Sequence, residues 1–82
     1  MARHSHRFVE EYDGFVGFGL DQDSDVNTIV FYLQKIADDV LARTLAERMT
    51  EDERLEFFDT LGRLLKNHLS EEEYHRLFLK DR

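Results

Sequence analysis

Thr50-Glu51-Asp52-Glu53 and Ser70-Glu71-Glu72-Glu73 are the stretches whose reading decides the fold. In each, a hydroxyl residue is followed three positions later by glutamate. The hydroxyl can accept from the third helical amide while the glutamate accepts from the amide of the capping residue, so two orphan donors are satisfied together. Two helices are therefore expected, over about 51–67 and about 71–80. In the first, Leu55, Phe58, Leu61, Leu65 and Leu69 recur at helical spacing, and Phe57 and Leu64 widen the stripe. Glu56, Asp59, Thr60, Arg63 and Lys66 fall on the other side. The apolar arc covers roughly half the circumference, wider than the usual ~100°. Before the second box, Leu69 is placed to staple onto Tyr74, and Leu77 and Phe78 extend a short apolar edge.

Working outward, residues 25–48 predict one long helix. Asp23 or Ser24 can cap it, and the neighbouring aspartates suit the positive end of its dipole. Val26, Val30, Leu33, Ala37, Val40 and Leu41 form its stripe, with Ile29 and Ile36 beside it. Phe31, Leu45 and Met49 lie to one side, so this helix carries apolar surface beyond a single seam.

Residues 7–20 predict a β-hairpin. Asp13-Gly14 is a favoured pair for a type I′ turn, whose two central residues both need positive φ. Val9, Val16, Phe18 and Leu20 then share one face, and Phe8, Tyr12 and Phe15 the other, over the glycines at 17 and 19. An aromatic ring over a cross-strand glycine covers exposed backbone. The expected fold is thus mainly α, an N-terminal hairpin followed by three helices. The alternative is an all-α three-helix bundle whose N-terminal segment is irregular.

The 82 residues contain no cysteine and no proline, and carry a formal net charge of −7. A chain this short is expected to form a single domain with a thin core, with residues 1–6 as a flexible tail. Without cysteine there are no disulfides, no cysteine-based zinc sites and no thiol nucleophile. The negative balance argues against nucleic-acid binding, which needs cations to displace phosphate counterions. No run approaches the ~20 apolar residues of a spanning helix, and the basic N-terminus lacks the apolar run of a secretory signal. The cytoplasm is the expected address, and no membrane partner is expected. Residues 10–25 hold six acids and no base, and residues 51–59 hold five acids and one base.

No catalytic, cofactor or metal site is expected. Asp21-Gln22-Asp23-Ser24-Asp25 begins like a calcium loop, but Val26 stands where the glycine is needed and Tyr32 where the bidentate glutamate is needed. Ala2-Arg3-His4 would chelate Cu(II) or Ni(II) only with Met1 removed, and a solvated basic tail is the plainer reading. His68 suits the negative end of its helix. The carboxylate pairs at 10–11, 38–39 and 71–73 sit on solvent faces or in first turns rather than in a pocket.

What remains is greasy surface in excess of what so small a core can hide. The expected function is a non-enzymatic interaction module, an adaptor or regulator, that binds a protein partner and itself as a homodimer. The interface residues expected on this basis are Phe15, Phe18, Phe31, Leu45, Met49, Phe57 and Leu64. Two other classes remain open. One is an acidic mimic of nucleic acid that blocks a basic cleft. The other is a DNA-binding regulator acting through the basic termini, although Glu71-Glu72-Glu73 would then face phosphate.

Overall fold

The structure, a computed structural model, describes residues 6–81; apart from His6, the expected N-terminal tail lies outside them. The chain divides into two compact units, one within residues 6–47 and one within residues 48–81. Five helices and no strand are present among the described residues. The mainly-α class stands, and the hairpin does not.

In the first unit, α1 (Phe8–Glu11) leads through an irregular strap, residues 12–21, into α2 (Gln22–Ile36) and α3 (Asp39–Arg48). Phe8 and Tyr12, four residues apart, stack at 4.7 Å between ring centroids, and Tyr12 meets Phe31 of α2 at 6.0 Å. The Lys35 ammonium lies 5.4 Å from the Phe31 ring. The Val9 amide donates to Gln34 Oε1 at 2.9 Å, so α1 is fastened to α2 at two points.

The strap shows why no hairpin forms. The type I′ turn needs positive φ at 13 and 14, yet Gly19 is the only glycine with positive φ among the described residues. Phe8 and Tyr12 sit on one helical face instead of one strand face. The Gly17 amide and carbonyl, which a ladder would have paired, both bond the Thr28 hydroxyl, at 3.0 and 2.7 Å. The rings that should have crossed to a partner strand fold back locally. A Cβ at Gly14 would lie 2.7 Å from the Tyr12 ring, and one at Gly17 2.5 Å from the Phe15 ring.

The long helix expected over 25–48 is two helices. It begins earlier, because Asp21 rather than Asp23 or Ser24 is the cap, its side chain accepting from the Ser24 amide at 2.8 Å. It breaks at Ala37–Asp38 because Asp38 starts a new helix. Asp38 Oδ2 accepts the Leu41 amide at 3.1 Å, and its carbonyl accepts the Ala42 amide at 2.8 Å. Aspartate offers the backbone such a local alternative to continuing a helix.

In the second unit, α4 (Glu51–His68) and α5 (Glu71–Glu73) both start with complete capping boxes. The Thr50 and Ser70 hydroxyls each accept a glutamate amide at 3.1 Å, and each capping amide returns a bond of 2.9 Å to that glutamate. The third helix expected over 71–80 keeps α geometry only through Glu73. Tyr74–Leu79 widens into a π-helical segment ending at Lys80, which is left-handed at φ 58° and ψ 40°. The Lys80 and Asp81 amides both donate to the His75 carbonyl. Tyr74 stacks on Phe78 at 5.1 Å, and His75 Nδ1 meets both Asp81 carboxylate oxygens at 3.1 Å.

Candidate interaction surface

No hydrophobic side chain is buried among the described residues; the one buried residue is Thr28, 5% exposed. The apolar residues that periodicity groups on one face are at most half-buried in each unit, and much of each stripe is exposed.

The most continuous of these is on α4. The capping box fixes where α4 starts, and from there the 3.6-residue repeat puts Phe58, Leu61 and Leu65 on one line, flanked by Phe57 and Leu64. Phe58 is 75% exposed, Phe57 46% and Leu64 45%; Leu55 and Leu61 are exposed as well. Leu65 and Leu69 are half-buried, where with Gly62, Lys66, Ser70, Glu71 and Tyr74 they line an open concavity of about 450 Å³. The staple pair Leu69 and Tyr74 thus share one wall. Along its length α4 segregates charge. Five acids against Arg54 leave −4 over residues 51–59, whereas Arg63 and Lys66 give +2 over residues 60–68 with His68 neutral.

The first unit presents a second apolar area. Phe15 and Phe18, the latter 70% exposed, stand on the strap with Val16 and Leu20, and α2 adds Val26, Ile29, Tyr32 and Leu33. Phe31 is half-buried and already engaged by Tyr12 and Lys35. Leu45 is exposed on α3, and Met49 is half-buried in the turn before Thr50. Phe57 and Leu64, seven residues apart, share one edge of α4.

Thr28 and Gln34 were not singled out by the sequence reading. Each is a polar residue on α2 that ties down backbone arriving from the N-terminal side. Neither belongs to the apolar repeat, and no periodic signal marks a side chain whose role is to pair with a distant amide.

Several of the acids are engaged by the main chain. Asp21, Asp25, Asp38, Glu53 and Glu73 each accept from a main-chain amide, Asp25 from that of Gly19 at 2.8 Å. The Ser70 amide and hydroxyl hold the Glu73 carboxyl below the ordinary glutamate value. Among the described residues no three His, Cys, Asp or Glu side chains converge as a metal would require. The calcium-loop carboxylates of Asp21 and Asp25 instead point at amides. Nor is any helix among these residues long and apolar enough to cross a membrane. Among the described residues, two C-terminal bases are also occupied locally, Arg76 by Glu72 at 3.3 Å and Lys80 by the Leu77 carbonyl at 2.9 Å.

Comparison of the chain with family models, with curated proteins and with solved structures finds no match.

Proposed function

We propose that this protein is a non-enzymatic interaction module, an adaptor or regulator of the cytoplasm, that works by associating through apolar helical surface and first of all with itself. The observation that supports this reading is the outward-facing stripe of α4, with Phe58 three-quarters exposed. Uncovered stripes of this kind on a small chain mark interfaces. The first unit adds strap aromatics held in place by Thr28, a presentation in which rings are fixed by backbone anchoring.

Sedimentation velocity over a range of concentrations tests the proposal. A mass that rises toward two copies is expected. Phe58→Asp should abolish the rise, because truncating a central aromatic anchor costs about 2 kcal/mol per copy, roughly 10³-fold for a symmetric pair. A strict monomer at every concentration sinks the reading. Capture of basic proteins that is lost at high salt would favour the acidic-mimic class in its place.

A further inference from the structure

We propose that the self-association face is α4 and that two copies pair along it antiparallel. This rests on the self-association reading above and adds the partner, the element and the orientation.

The exposed stripe and the charge gradient lie on the same helix. In a parallel pair, the −4 half of one α4 would lie beside the −4 half of the other, and the two helix dipoles would also align. Turned end for end, each acidic half lies beside a +2 half, and the dipoles oppose. A second copy of this chain therefore carries the charge pattern that the face requires.

The apolar positions fit the same arrangement. With the helices fully overlapped and the two-fold axis between Asp59 and Thr60, Phe58 of each copy falls on Leu61 of the other. Phe57 and Leu64 share one edge of α4, and the two-fold keeps that edge on the same side of the pair, so it meets the Phe57–Leu64 edge of the other copy. Glu51 of each copy then faces His68 of the other. Arg54 lies on the same line, four residues before Phe58 and level with Leu65 of the other copy, with its guanidinium donating to the Met49 carbonyl at 2.7 Å. A symmetric contact of this kind closes on itself and stops at two copies.

Pulsed dipolar spectroscopy on the full chain tests the orientation, with one nitroxide attached at His68→Cys. The chain has no other cysteine. In the antiparallel pair the two labels are about 25 Å apart along the axis at 1.5 Å per residue. In a parallel pair they are separated only by the interhelical spacing of about 8–10 Å. A long distance for that variant, with a short one when Glu51→Cys and His68→Cys chains are mixed, is the expected result. Loss of the dipolar signal in Phe58→Asp, with helical circular dichroism retained, places the contact on α4.

A short His68–His68 distance overturns the antiparallel pairing and leaves self-association standing. So does a dimer that survives Phe58→Asp, because the contact then lies elsewhere, such as on the strap aromatics. A chain that sediments as a monomer at all concentrations overturns both.

Discussion

At the residue scale, one hydroxyl does the work expected of a hydrogen-bonded strand. Thr28 accepts from the Gly17 amide and donates to its carbonyl while itself almost wholly buried. Thr28→Val keeps the shape and removes both bonds. Leaving those groups unpaired costs about 1–3 kcal/mol, toward the lower end because Gly17 is half-buried and water can reach it. Thermal unfolding should fall by roughly 4–8 °C per kcal/mol lost in a domain of this size. Thr28→Ser, which retains the hydroxyl, should recover most of the loss. An unchanged melting point in Thr28→Val would mean that the strap is not held there. Glu73 is a second residue with a readable consequence. Its carboxyl sits below the ordinary glutamate value because the Ser70 amide and hydroxyl favour the charged form. A lowered carboxyl contributes stability that is whole above the unfolded-state value and is lost as pH falls through the folded-state one. Protection of the Glu73 amide, measured as exchange relative to the intrinsic rate at each pH, should fall on acidification through that window, and Glu73→Gln should flatten the dependence.

At the element scale, end signals predict better than repeats. Thr50 and Ser70 mark helix starts because capping is chemistry between residues three apart, complete within the local sequence. Thr50→Ala should therefore destabilise α4 by about 1 kcal/mol, measurable as a lower urea midpoint at unchanged slope. The hairpin fails for the opposite reason. Phe8 and Tyr12 fit a strand face at even spacing and a helix face at spacing four, and only contact with Phe31, nineteen residues after Tyr12, decides between them. The break at Asp38 was written in the sequence as an internal cap, but the stripe running from Val26 to Leu41 continues past it and hides it. The widening of the last helix has no sequence signal that we can identify; its end does have a cost. Lys80 occupies the left-handed region that glycine occupies freely. Lys80→Gly relieves about 1 kcal/mol of strain while giving up the bond to the Leu77 carbonyl and gaining unfolded-state freedom. A small net rise in melting temperature, under about 4 °C, is expected; a fall would show that the lysine bond outweighs the strain.

At the scale of the whole molecule, the stability of the chain and its association are one equilibrium. The apolar stripes were legible from spacing alone, and so was their excess. That they remain uncovered was not, because periodicity states which residues share a face and is silent on whether anything packs there. With no apolar side chain buried among the described residues, the hydrophobic term that normally offsets chain entropy is small within each unit. If that term is supplied by a second copy, the folded state is stabilised by mass action. Each tenfold increase in protein concentration then adds about 1.4 kcal/mol per dimer, and the melting temperature climbs with concentration by several degrees per decade. Phe58→Asp should melt lower and at a temperature that no longer depends on concentration. A wild-type melting point that stays fixed across two decades of concentration would show that each chain is stable by itself, and the exposed face of α4 would then have no part in holding the fold.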